Sequence, residues 1–327
     1  MAKYREIKGV TIQTKDGDPD VFAGSWASGG SLNTARGELA GAGIQTAALA
    51  FGGDTPVTPG TSREANTESY NGSTWTELND LNTGRTTLGG LGTSTAALAF
   101  GGDVATNVAN TETWDGSSWT EVNDLNAARN TISGAGTTTA AIAQMGTPPN
   151  TAVESWNGTS WTETTEINTG RNFGCSVGTQ TACLAIGGTP PVTGKTEYWN
   201  GSSWTELNDL NTGRYTLAGS GIYTAALVMG GQVPPLTAVT ESWDGTNWTE
   251  VADLSTTRGY VAAGVQSPNQ TSIVFGGTTP SVTGATEEWS FPDGEFGFLT
   301  EGDLFVSAGS TLRFWKICWS AKWSLGK

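Results

Sequence analysis

Six times along the chain a tryptophan is followed ten residues later by an arginine: Trp26/Arg36, Trp75/Arg85, Trp119/Arg129, Trp161/Arg171, Trp204/Arg214 and Trp248/Arg258. The tryptophans are spaced by 49, 44, 42, 43 and 44 residues, and six of the nine arginines hold this one position. A period of roughly 40–50 residues is the length of one supersecondary unit, which cannot bury its apolar surface alone and must stack on its neighbours.

The rest of the unit recurs in register. Each Arg precedes a Gly/Ala/Thr-rich segment and then an apolar one. The apolar segment ends at Gly52-Gly53, Gly101-Gly102, Met145-Gly146, Gly187-Gly188, Gly230-Gly231 or Gly276-Gly277. After a variable stretch come a Glu and an aromatic two residues on: Glu68/Tyr70, Glu112/Trp114, Glu154/Trp156, Glu197/Trp199, Glu241/Trp243 and Glu287/Trp289. Five copies continue with Asn-Gly or Asp-Gly, dipeptides that tolerate the positive φ of tight hairpin turns. Each unit therefore reads as four short antiparallel strands, a to d. Arranging such sheets around an axis covers both faces of each and limits exposed edges.

The glycine pair, the Glu-x-aromatic, the downstream Trp and the Arg together resemble the kelch repeat over about residues 20–290. The resemblance implies an all-β, six-bladed kelch-like β-propeller. Trp114-Asp115 and Trp243-Asp244 mimic the dipeptide of the rival WD40 repeat, but they fall at the hairpin turn and the chain has no His for the Gly-His partner. The sixth copy stops after Trp289-Ser290 without a strand d, whereas the first copy begins with one, Val21 to Trp26. The N-terminal strand is therefore expected to complete the last blade beside Trp289. Closure then interrupts a c–d turn, so both ends leave on that face and the b–c loops stay free on the other. The expected divisions are an N-terminal arm, 1–20, the propeller, 21–291, and a C-terminal aromatic-rich hairpin tail, 292–327.

Within each blade the c-strand aromatic and the d-strand Trp, five residues apart, point to one side of the sheet and are expected to pack between blades. Arg at the start of strand a and Glu near the start of strand c are expected to pair at the blade ends. Arg36, Arg85, Arg129, Arg171, Arg214, Arg258 and the six glutamates are thus read as structural positions.

Charge and composition exclude several functions. Net charge is −15, which disfavours nucleic acid and anionic membranes as partners. The charge is uneven: residues 1–15 carry +3 and residues 304–327 carry +4, which leaves −22 between them. Residues 1–20 lack the apolar core of a signal peptide, and no run of eighteen apolar residues exists, so no membrane insertion is expected. The absence of His removes imidazole bases, Ser-His-Asp machinery and His metal ligands, including the copper site of galactose-oxidase propellers. Asp16, Asp18 and Asp20 alternate as in an EF-hand, but Val21 and Ala27 stand where that loop needs Gly and Glu, so a turn is the reading. Cys175 and Cys183 replace small residues of other blades and read as buried thiols, with a cross-strand disulfide as the alternative. Asn71, Asn157 and Asn200 match the glycosylation tripeptide, yet each is explained by its turn. No cofactor and no enzyme activity are expected; paired carboxylates could serve glycoside hydrolysis, but the acids mostly recur once per blade, as structural residues do.

The b–c loops differ most between copies, and variable loops on repeated strands fit a binding face; drift in unconstrained loops is the alternative. Candidate binding residues there are Asp54, Thr58, Arg63, Asn66, Asp103, Asn107, Thr147, Asn150, Thr189, Lys195, Gln232, Thr237, Thr278 and Thr283. Residues 1–15 alternate as one strand, and 303–315 read as strand, Ala308-Gly309 turn, strand. The tail carries Phe296, Phe298, Phe305, Phe314, Trp315, Trp319 and Trp323, more aromatic surface than it can bury alone, so Trp315, Trp319 and Trp323 are candidate anchoring residues.

The Thr/Asn/Gly-rich repeats, with segments such as SWASGGSLNTARG and EGDLFVSAGSTLRFW, resemble virion-associated proteins of tailed, particularly marine, bacteriophages. That resemblance implies a virion location, several copies per particle, other virion proteins as partners of the terminal extensions, and a host-surface glycan or protein as a ligand of the propeller. A carbohydrate-binding or carbohydrate-active propeller is the rival class; it needs non-repeating acids or aromatics at one channel mouth. A cellular kelch adaptor is the third.

Overall fold

The computed structural model describes residues 11–13, 24–55, 62–148, 150–266, 270–291, 304–308 and 311–315, among which there is no helix. Residues Gly24–Ser290 form one compact unit. It holds six four-stranded antiparallel sheets. In the order a to d, blade one is Ala40–Ile44, Ala47–Phe51, Thr67–Tyr70 and Trp75–Glu77, and blade two is Gly89–Thr93, Ala96–Phe100, Thr111–Trp114 and Trp119–Val122. Blade three is Ser133–Thr137, Ala140–Gln144, Val153–Trp156 and Trp161–Glu163, and blade four is Cys175–Thr179, Ala182–Ile186, Thr196–Trp199 and Trp204–Glu206. Blade five is Ala218–Ile222, Ala225–Met229, Thr240–Trp243 and Trp248–Val251. Blade six takes Ala262–Ala263, Thr271–Phe275 and Thr286–Ser290 from the end of the unit and Ser25–Ser28 from its beginning. The a strands of successive blades adjoin in a closed cycle, so the fold is a six-bladed β-propeller.

Trp26 faces Trp289 and Ser28 faces Glu287, so the N-terminal strand finishes the sixth blade. The described strand d there is Ser25–Ser28, two residues beyond the expected end at Trp26, whereas the expected start, Val21–Ala23, lies outside the described residues; Trp26 lies near the start of the described strand, where every other blade also has its tryptophan. The seam is held further by the Trp75 indole, which donates to Thr286 Oγ1 at 3.0 Å, by the Tyr70 hydroxyl, which donates to Glu288, and by Gln45 Nε2 donating to Trp289 O.

Local chemistry explains the repeat. Strand b, Ala-Ala-Leu-Ala-Phe in blades one and two, is apolar on both faces because a neighbouring blade covers each. Strand a is built of Gly, Ala and Ser because a strands crowd near the axis: a Cβ on Gly90 would meet Ala40 Cβ and Phe51 Cζ, both at 2.7 Å. The d-strand tryptophans bridge blades, with Phe51–Trp119 centroids 4.9 Å apart and Trp119 Nε1 bonded to Thr67 Oγ1 of the preceding blade. The c-strand tryptophans lie in the same clusters between blades, Trp114 with Leu49 and Phe51, and their indoles bond their own a–b turn, as Trp114 does at Ser94 O. The c–d turns have four residues, and the Asn71 carboxamide oxygen accepts from the Ser73 and Thr74 amides.

Cys175 and Cys183 are free and buried. Cys175 lies opposite Ile186, three residues and therefore one sheet face away from Cys183, so strand pleating keeps the thiols apart. Burial pushes both thiols up, Cys175 to about 12, which leaves them protonated and inert.

The second unit comprises Met1–Ala23 and Phe291–Lys327. Its described strands are Thr11–Gln13, Leu304–Ala308 and Thr311–Trp315, in one sheet with Ile12 opposite Val306 and Trp315 opposite Leu304. Trp319, Trp323 and the Asp16–Asp20 segment lie outside the described residues.

Candidate functional site at the channel mouth

Each blade end on the b–c side is built around a buried ion pair: Arg36–Glu68, Arg85–Glu112, Arg129–Glu154, Arg171–Glu197, Arg214–Glu241 and Arg258–Glu287. These side chains are at most 4% exposed. Hydrogen bonds to the partners of a buried pair offset part of its desolvation. The loop entering each of blades one to five supplies the bonds. In blade three, Glu154 accepts from the Asn126 amide and side chain, both at 2.8 Å, and from Arg129, while Asn126 Nδ2 also reaches Trp161 O. Asn33, Asn82, Asn168 and Asn211 do the corresponding work in their blades, and Ser255 replaces Asn in blade six. The signal is the repeated Asn-x-x-Arg, and the reading that stopped at Trp and Arg missed it. Burial lowers the pKa of Arg36, Arg85, Arg129 and Arg258, while the facing glutamates pull the other way.

Two residues beyond each Arg the chain turns inward at a left-handed residue: Glu38, Thr87, Thr131, Phe173, Thr216 and Tyr260, with φ between 51° and 56°. Three are threonines, which resist this region because of their branched Cβ. A ring of backbone bonds holds them there. Thr87 N donates to Glu38 O, Thr131 N to Thr87 O, Phe173 N to Thr131 O, Thr216 N to Phe173 O, Tyr260 N to Thr216 O and Glu38 N to Tyr260 O, at 2.7–3.4 Å. Outside it runs a second ring, in which the second glycine of each blade donates to the Arg carbonyl of the next, from Gly53–Arg85 round to Gly277–Arg36. All six blades, including the seam between the sixth and the first, are thus joined by main-chain bonds at the mouth of the axial channel.

The mouth opens into a pit of about 80 Å³ lined by the six left-handed residues and the apolar residues behind them. Below it a second cavity of about 120 Å³ is walled by the a strands. At the opposite end Gln266 of blade six spans the bore. Its amide donates to Gly43 O of blade one, and its side chain to Gly136 O of blade three. Blade six can do this because Arg258 and Gly276 are 18 residues apart where the equivalent interval is 16 elsewhere, and its strand a is correspondingly short.

The pit breaks the sixfold repeat. Glu38 stands across the ring from Phe173, with Tyr260 beside it. Phe173 packs edge-on against Tyr260 at 5.9 Å and against Tyr215 at 6.3 Å. Burial, and secondarily the charge of Asp54, raise the Glu38 pKa above the ordinary carboxylate range. Burial, and then Glu38, raise that of Tyr260. Thr216 Oγ1 is buried in the lining and has no hydrogen-bond partner.

Of the candidate loop residues, the fold gathers Asp54, Asp103, Thr147, Thr189, Gln232 and Thr278 into a third circle, each bridged to the residue that follows an Arg. Arg63 lies just outside, its Nε donating to Asp103 Oδ1 at 2.8 Å. Asn107 is tied to Thr147 O, Asn66 to Glu77, and Lys195 to Glu206. The Asn150 carbonyl accepts from the Arg171 amide. Thr237 and Thr283 brace their own loops through Val239 and Ala285. These outer residues are not brought to the pit. Thr58 lies outside the described residues. Among the described residues no group of three His, Cys, Asp or Glu is placed to hold a metal ion.

No protein-family model matches the chain, and a search of curated protein sequences finds no match. Fold and site together define a six-bladed β-propeller with a strained, asymmetric pit on its axis.

Proposed function

We propose that this chain is a non-enzymatic binding protein of kelch-like type, carried on the virion of a tailed bacteriophage as a tail fibre, tail component or capsid decoration. Its terminal extensions join it to other virion proteins in several copies, and its propeller presents the b–c face to a host-surface glycan or protein. The observation that carries the binding role is the pit: in a molecule whose framework is the same in every blade, Glu38, Phe173, Tyr215 and Tyr260 are not repeated. Backbone strain kept at such a place is a common mark of a functional site. The virion assignment rests on sequence resemblance and on the contrast between basic ends and an acidic body. An acid beside aromatics is also how sugars are held, so a carbohydrate-binding or carbohydrate-active propeller is the second reading. A cellular kelch adaptor has no specific observation in its favour.

Two measurements separate these. Mass spectrometry of purified virions should find the chain in stoichiometric amounts; its absence from particles would end the virion assignment. The full-length protein should bind host cells without releasing reducing sugar from their glycans; turnover lost in Glu38→Gln would establish the enzyme instead.

A further inference from the structure

We infer that the axial pit recognises one cationic headgroup, an alkylammonium or a guanidinium, seated between the Glu38 carboxylate and the faces of Phe173 and Tyr260. This rests on the reading of the b–c face as a binding face and names the chemistry of its centre.

Four observations converge on it. The pit, at about 80 Å³, is far smaller than the roughly 300–1,000 Å³ that engulf a whole small ligand, so it suits the tip of a group presented from outside. Gln266 bridges the far end of the bore, so a group reaches the pit from the b–c side. The walls pair an acid with aromatic rings set edge-on to one another, the surroundings that attract a weakly hydrated cation. Electrostatics point the same way. Glu38 is partly stripped of water and shares its surroundings with Asp54 and Asp103, which the Thr86 hydroxyl bonded to Glu38 and the charge of Arg63, itself bonded to Asp103, offset only in part. A bound cation would relieve that crowding, whereas a neutral sugar would leave it in place.

The headgroup could belong to a free organic cation or to a lysine or arginine of a partner protein. Ligand-observed saturation-transfer NMR on the full chain would use four probes: tetramethylammonium, ethylguanidinium, neopentyl alcohol as an uncharged group of similar shape, and a methyl hexoside. The inference expects both cations to bind and the alcohol and the glycoside not to. Glu38→Gln should weaken the cations about tenfold. Preference for ethylguanidinium points to a protein side chain as the source, and preference for tetramethylammonium to a free quaternary amine. If the alcohol binds as well as the cations, or if folded Glu38→Gln binds them undiminished, the inference is wrong. Glycoside binding without cation binding would overturn it while leaving the binding face intact. If no probe binds and Phe173→Leu leaves host-cell attachment unchanged, both fail. Should Glu38→Gln not fold, the comparison of tetramethylammonium with neopentyl alcohol on the unaltered chain decides.

Discussion

Two rings of side chains lie two residues apart in the sequence of every blade. The outer one is the set of Arg–Glu pairs, the same in all six blades and shut away from water. The inner one is Glu38, Thr87, Thr131, Phe173, Thr216 and Tyr260, which share a backbone conformation but not a side-chain chemistry. The outer ring must repeat because each blade end poses the same problem, a buried charge that needs several hydrogen bonds. The inner ring is fixed through its main chain, so its side chains are released from the repeat. The difference separates what the propeller needs in order to stand from what it is free to offer a ligand.

Substitutions in the outer ring should have the largest effect. Every guanidinium nitrogen of Arg171 has a partner, with bonds to Gly187, Thr169, Ala185 and Glu197. Arg171→Met should therefore lower unfolding free energy by about 3–5 kcal/mol in urea denaturation. Arg36 makes one longer bond, to Ala50 O at 3.3 Å, and its Nε and one terminal nitrogen lack hydrogen-bond partners. Arg36→Met should cost measurably less, and an equal cost would show that hydrogen bonding does not grade the pairs. Asn126→Ala removes the side-chain bonds to Glu154 and Trp161 O and should cost about 1–3 kcal/mol.

The seam between blades six and one should respond to alkali. Burial, followed by the bond to Glu288, raises the Tyr70 phenol to about 12. A raised pKa means the folded state holds the proton more tightly than the unfolded one. The stabilisation is complete below the ordinary tyrosine value and is lost as pH climbs through about 12. Ultraviolet difference absorbance should show a tyrosine step near pH 12, and Tyr70→Phe should remove that step.

The inner ring should behave in the opposite way. Thr87 is held at φ 51°. Thr87→Gly relieves that conformation and should raise unfolding free energy by about 0.5–1 kcal/mol. A clear loss would mean that the threonine side chain belongs to the framework.

The repeat made most of this legible. Trp26 and Trp289 could be placed side by side because the last copy lacks what the first has to spare, and arginines fixed at one position implied a common partner. Strand d runs on from Trp26 to Ser28, which the sequence pattern does not mark and only the register opposite Glu287 shows. The pit was hidden for a different reason. Glu38, Phe173 and Tyr260 are distant in sequence and occupy a position in strand-like surroundings, so nothing local marks them. They meet only because six main chains close a ring. The bridge at Gln266 could have been suspected from the two extra residues between Arg258 and Gly276.

The same chemical change can be made in both rings. Glu154 accepts bonds from Arg129 and Asn126, whereas burial already favours the neutral form of Glu38. Unfolding free energies of Glu154→Gln and Glu38→Gln, measured side by side near neutral pH, test the separation most directly. The account predicts a loss of about 3 kcal/mol or more for Glu154→Gln and no loss, or a small gain, for Glu38→Gln. Equal losses at the two positions would contradict it.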